Sequence, residues 1–172
     1  MSQLFQNVEV PIDELPQFQE VQLHPVSRKY KTMHLVISSI IALIAAGGFV
    51  AINIAADWTV WFLFGFPALY WLVHFVVVTK GYPWIGYAIR EHDVIFRRGW
   101  IFRSTTVIPY SKIQHGEVRQ SFVERIYGMS RLKLFTAGGT SSDLVIPAIA
   151  DEEANKLRDF VMTKVKQQED AI

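Results

Sequence analysis

Hydrophobic and polar positions divide the chain into three unequal stretches. Residues 33 to 79 contain no Lys, Arg or Glu and one acidic residue, Asp57. Met33 to Ala56 is long enough to cross a membrane as a helix, because about 20 residues rising about 1.5 Å each cover a hydrocarbon core of roughly 30 Å. Trp58 to Thr79 supplies a second span, and the short link at Asp57 requires the two to form a tight hairpin over residues 33 to 80. Two adjacent uncharged stretches of this length argue against a buried hairpin in a soluble protein. Ahead of them, residues 1 to 32 form a polar N-terminal tail punctuated by Pro11, Pro16 and Pro25, with a short helix around Ile12 to Phe18. Its apolar residues either dock on the later domain or leave it loose. The apolar run starts only at Met33, too late for a secretory signal.

From Tyr82 the pattern changes to short alternating runs, which read as strands over Trp84 to Arg90, Val94 to Arg98, Trp100 to Pro109, Ile113 to Arg119, Arg131 to Phe135 and Leu144 to Pro147. Glu91-His92-Asp93, Gly99 and Ala137-Gly138-Gly139-Thr140 supply the turns. Ser121 with Glu124 three residues on has capping-box spacing and predicts a helical turn over Ser121 to Tyr127. Asp151-Glu152-Glu153 suits a helix N-terminus, and Ala154, Leu157, Val161 and Val165 then line one face of a final helix. Residues 81 to 172 are therefore an α+β soluble domain, with the helix closing a bent antiparallel sheet.

Side-chain size refines the hairpin. Ala42 and Ala46, and also Gly47, Ala51 and Ala55, recur four apart and make a smooth face on the first span. Phe62, Phe64, Phe66, Tyr70, Trp71 and Phe75 load the second with rings to pack on the smooth face of a partner helix, in the same chain or in another. Pro67 predicts a kink or a packing adjustment. His74 is the one clear ionisable side chain in a span, and its closeness to Lys80 favours a neutral, hydrogen-bonded imidazole over a proton relay. Asn53 has the same structural reading.

Orientation follows from the basic residues. Arg28, Lys29 and Lys31 precede the first span and Lys80 follows the second, whereas the tip offers only Asp57, so both termini belong in the cytoplasm. Zero cysteines exclude disulfides, Cys-ligated zinc and thiol catalysis. The five histidines are scattered without metal-binding spacing, and neither a nucleophile elbow nor a phosphate-cradling loop is present. The pattern predicts no enzyme, no cofactor, no metal and no nucleic-acid partner. One charge asymmetry remains, because residues 80 to 133 hold 10 Lys or Arg against 4 Asp or Glu. Arg97, Arg98 and Arg103 crowd one hairpin near the membrane, as either a solvated strand face or a basic patch for anionic lipid, at about 1 kcal/mol per charge.

The run from Tyr87 to Arg103, then Ile108-Pro109-Tyr110-Ser111-Lys112-Ile113-Gln114, Val118 to Gly128 and Thr136-Ala137-Gly138-Gly139 carry a resemblance. Their order and spacing are similar to those of the bacterial pleckstrin-homology-like (PH-like) domain, in the version found behind two spans in small bacterial membrane proteins. The likeness covers about residues 82 to 166. It implies a seven-stranded antiparallel barrel closed by the C-terminal helix, the bacterial inner membrane, and no established activity or catalytic residues. It also implies a longer membrane relative with repeated PH-like domains as a partner. The expected role is a membrane-anchored interaction or scaffold module, a subunit of a complex or a homo-oligomer. The alternative is an anionic-lipid-binding or lipid-sensing module using Arg97, Arg98 and Arg103.

Overall fold

The computed structural model describes residues 21–56, 65–137 and 144–169. The expected helix at 12–18, the hairpin tip around Asp57, Trp58 and Trp61, and the turn at Gly138 to Thr140 lie outside the described residues.

Two helices lead. α1 (Lys29–Ala56) starts four residues before the apolar run, and α2 (Gly65–Gly81) ends with Lys80 in its last turn. Among the described residues one helix is long and apolar enough to cross a membrane, Lys29–Ala55. Only 6% of its most apolar stretch is buried inside the protein, unlike the core helix of a soluble domain. The two helices pack side by side. Trp71 Nε1 donates to Ser39 Oγ at 2.9 Å, while Ser39 itself donates to the Leu35 carbonyl. Trp71 stacks on Phe75 and faces a cleft lined by Ser39, Ala42, Ala46 and Pro67, so a ring does meet the smooth alanine face. Asn53 is buried and donates to the Phe49 carbonyl, as the structural reading expects.

The soluble part is built of two antiparallel sheets. One has the order β1-β2-β3-β4, from β1 (His24–Pro25), β2 (Gly86–Ile89), β3 (Asp93–Arg98) and β4 (Ser104–Pro109). The other has the order β5-β6-β7, from β5 (Ile113–Arg119), β6 (Met129–Thr136) and β7 (Leu144–Ala150). The expected single closed barrel is therefore corrected: among the described residues no ladder joins the sheets. At one seam Pro109, which has no N–H to give a ladder, leads into a helical turn at Tyr110–Lys112. At the other, β7 is interrupted between the pairs Ser130↔Ile149 and Leu132↔Ile146, where Ala148 takes a positive φ of 56°. Its carbonyl there accepts from Ser27 N–H at 2.9 Å, a single bond in place of a ladder.

The third predicted strand begins later than expected. Trp100 to Arg103 form the turn between β3 and β4, and the ladder starts at Ser104, opposite Arg98. The capping box is present, with Glu124 N–H on Ser121 Oγ and Ser121 N–H on the Glu124 carboxylate, opening α3 (Phe122–Ile126). α4 (Asp151–Glu169) closes the three-stranded sheet through Ala154, Val161 and Val165, all buried, with Leu157 partly so.

Residues 21–27, part of the tail by sequence, join this domain. β1 adds to the edge of β2, and Val26 enters the core beside Met33. Tyr30 and Ile37 of α1 pack on the same core, and Tyr82 donates to the Val26 carbonyl at 2.8 Å. The base of the helix pair thus packs into the core of the sheet domain.

Candidate membrane-facing site

The site lies where the helices meet the β3–β4 hairpin. Gly99 opens the hairpin turn at φ +98°, a conformation that glycine adopts at no steric cost. A Cβ at that position would lie 1.8 Å from the Phe102 carbonyl oxygen, so the turn closes on itself. This closure projects Ile101 and Phe102 outward, 68% and 89% exposed. Trp100, Ile101 and Phe102 line one side of a cavity of about 440 Å³, and His34, His74 and Val77 line the other.

His74 does not stand alone. Its ring lies 6.2 Å from that of His34 on the facing helix and 5.9 Å from Tyr70, and His34 packs on Tyr30 at 4.3 Å. Antiparallel helices explain the meeting, since His34 near the start of one is level with His74 near the end of the other. Treating each span separately hides it. Among the described residues no group of three or more His, Asp or Glu is placed to hold a metal.

The three predicted arginines separate. Successive side chains of a strand point to opposite faces, so Arg98 leaves on the other side of β3 from Arg97. Arg97 and Arg103 share the outer face, where with Ile95, Thr105 and Val107 they border a groove of about 340 Å³. The Arg103 guanidinium lies 4.0 Å from the centroid of Trp84, a cation–π contact that holds it beside the end of α2. Trp84, expected as the start of a strand, is thus a positioning residue. Among the described residues none of Arg97, Arg98 and Arg103 forms an ion pair with a carboxylate.

Other charges are spent on structure. Arg131 holds the buried Glu124 carboxylate through Nε at 2.9 Å and Nη2 at 2.6 Å. Burial pushes that carboxyl up, but the Ser121 N–H and the Arg131 guanidinium outweigh it and leave it below the usual glutamate range. Arg90 pairs with Asp93 beside Tyr110, whose hydroxyl donates to the Arg90 carbonyl at 2.7 Å. Burial pushes the Tyr110 phenol up to about 12. Tyr87 donates to Glu153 at 2.8 Å and ties the four-stranded sheet to α4. These groups are satisfied anchors, with no nucleophile, base and reacting space arranged together.

Along β4 the backbone is open. β4 is the outer strand of its sheet, and its sequence Ser-Thr-Thr-Val-Ile-Pro carries no charge. Among the described residues its outward edge has no ladder partner, and the Arg97 and Arg103 groove lies over the face that β3 and β4 share, with Val21 and Leu23 on its other side.

The family description "Bacterial PH domain" matches residues 21–165, from the first strand segment to the last turns of α4. The chain belongs to the bacterial PH domain family. Relatives of this bacterial PH domain protein include the transmembrane protein YdbS of Bacillus subtilis (strain 168), 24% identical over 145 residues that cover 81% of the chain and 89% of YdbS. The transmembrane protein YdbT of the same organism is 30% identical over 149 residues, 85% of the chain but 30% of YdbT. The chain therefore spans less than a third of that longer relative. No solved structure matches it significantly. Family and names agree on a transmembrane protein with a bacterial PH domain, and neither carries a catalytic activity.

Proposed function

We propose that this protein is a non-enzymatic subunit of a bacterial inner-membrane complex, in which the PH-like domain recruits a partner protein onto the open edge of β4. In this reading α1 and α2 cross the membrane as a hairpin with both termini in the cytoplasm, and residues 81–172 form the cytoplasmic module. The observation that carries it is the uncharged, largely β-branched strand β4, whose outward edge has no ladder partner among the described residues and whose outer face carries Arg97 and Arg103, neither in an ion pair among those residues. An exposed edge of this kind is a template for strand addition, with main-chain hydrogen bonds giving affinity and flanking pockets giving specificity. The fitting partner is a membrane protein offering an extended segment with a carboxylate near Arg97 and Arg103. A longer relative with repeated PH-like domains is the partner that the family resemblance implies, and a second copy of this chain is the homo-oligomeric version.

Crosslinking in the native host followed by purification in mild detergent tests the reading. A specific larger membrane protein should come down with the wild type and be lost with Thr105→Glu or with Arg97→Glu and Arg103→Glu together. Recovery of the same partner by the edge variants contradicts it.

A second reading has its own observation: Arg98 and Arg103 flank the hairpin tip at the level of the helix ends. In that reading the domain binds anionic lipid. Reversing Arg97, Arg98 and Arg103 separates the two, since lost lipid binding with intact complexes favours the second and altered partner capture with unchanged lipid binding favours the first.

A further inference from the structure

We infer that the β3–β4 hairpin tip, Trp100-Ile101-Phe102, is a preformed wedge that inserts into the lipid leaflet beside the helix pair. This inference rests on the reading that α1 and α2 lie in the bilayer, and it holds whichever ligand the β4 groove takes.

The depth of the tip is set by its neighbours. Trp100, Ile101 and Phe102 border the same cavity as Val77 and His74 of α2, whereas α2 ends at Gly81. Val77 and His74 lie four and seven residues before that end, which is about 6 and 10 Å along a helix axis. The same cavity also reaches Gly81, Tyr82 and Ile85, so the hairpin tip faces the last turns of α2 across it. A soluble loop has no reason to be there with Phe102 89% exposed. At the level of the acyl chains that exposure is favourable, because each side chain is transferred from water into hydrocarbon.

Chemistry along the hairpin follows the same depth. Within the tip Ile101 and Phe102 are apolar and Trp100 suits the interface, and Arg98 and Arg103 flank it where phosphate groups would lie. Lys80 in the last turn of α2 and Arg28, Lys29 and Lys31 at the start of α1 add further basic residues at the same ends of the two helices. The wedge is rigid before it inserts, because Gly99 closes the turn on the Phe102 carbonyl and Arg103 is held on Trp84. The domain behind it is fixed to α1 through Met33 and to the end of α2 through Tyr82, so the tip has little freedom to swing away. The cavity of about 440 Å³ between tip and helices is mostly apolar and would be filled by a lipid acyl chain.

The chain has no cysteine, so single-cysteine spin labels report cleanly. Phe102→Cys, Leu43→Cys on the exposed face of α1 and Glu91→Cys in the β2–β3 turn would be labelled in the full chain. Each would be reconstituted in nanodiscs of phosphatidylethanolamine and phosphatidylglycerol, then probed with oxygen and with a water-soluble nickel chelate. The inference expects the labels at 102 and 43 to relax with oxygen and to lose relaxation by nickel, while that at 91 stays open to nickel. Nickel access at 102 with lipid access at 43 overturns the wedge alone. Nickel access at both overturns the membrane reading. Shielding of 102 from both reagents means that protein covers the tip, and it also overturns the proposal.

Discussion

The two sheets of the PH-like domain share antiparallel pairing and short strands, but they differ in what covers them. The three-stranded sheet lies under α4, and Leu132, Leu134, Ile146 and Val161 between them are fully buried. The four-stranded sheet shares the core on its inner face through Val94 and Phe96, yet it leaves its outer face grooved, its last strand open and its hairpin tip bare. Stability is concentrated in one sheet and recognition surface in the other. The proposed role, a domain held between a membrane and a partner, calls for this division, because a surface offered for binding cannot also be satisfied internally.

Core truncation should expose the contrast most strongly. Leu132→Ala, at a fully buried position of β6, is expected to cost about 2–5 kcal/mol, whereas Thr105→Ala on the outer face of β4 should stay within about 0.5 kcal/mol. Denaturant titration of the full chain in detergent checks both, and equal losses would erase the distinction between the sheets.

Next in size is Arg131→Ala, which leaves the Glu124 carboxylate buried without its guanidinium and should cost about 1–3 kcal/mol. The folded-state pKa of Glu124 is depressed, so its contribution is present in full above the usual glutamate range and is lost as pH falls through the lowered folded value. The wild type should therefore lose stability on the acid side, and the variant should lose less over the same interval. Parallel pH profiles for the two proteins would refute the assignment.

The smaller effects lie near the membrane. Arg103→Ala removes the cation–π contact with Trp84 and should cost only about 0.5–1 kcal/mol, while lowering partner or lipid capture much more than stability. Ser39→Ala removes the acceptor for Trp71 and should cost about 0.6 kcal/mol, read as a small drop in thermal stability of the helix pair. A large loss from Arg103→Ala would make that residue part of the structural half.

Much of this division was legible in the residues. Charge distribution and length gave α1, capping chemistry gave α3, and the acidic start with its apolar stripe gave α4. Those signals are local, and local rules are strong there. The open sheet was harder to read. Trp100 to Arg103 carries β-type residues and reads as strand, but Gly99 at positive φ turns the chain and makes those residues a tip. β1 has only two residues and forms because β2 offers it an edge, a tertiary effect that no short window contains. The meeting of His34 with His74, and of Arg103 with Trp84, likewise depends on how distant segments pack. Arg97, Arg98 and Arg103 were found by charge alone. Which of them share a face follows only from the register, Arg97 opposite Thr105 and Arg98 opposite Ser104.

Amide hydrogen exchange in nanodiscs, with and without the co-purifying partner, tests the central claim most directly. The account predicts slow exchange throughout β6 in both states, and fast exchange of the outward β4 amides that becomes slow when the partner binds. Protection of β4 equal to that of β6 in the isolated chain, or β4 exchange unchanged by the partner, would contradict it.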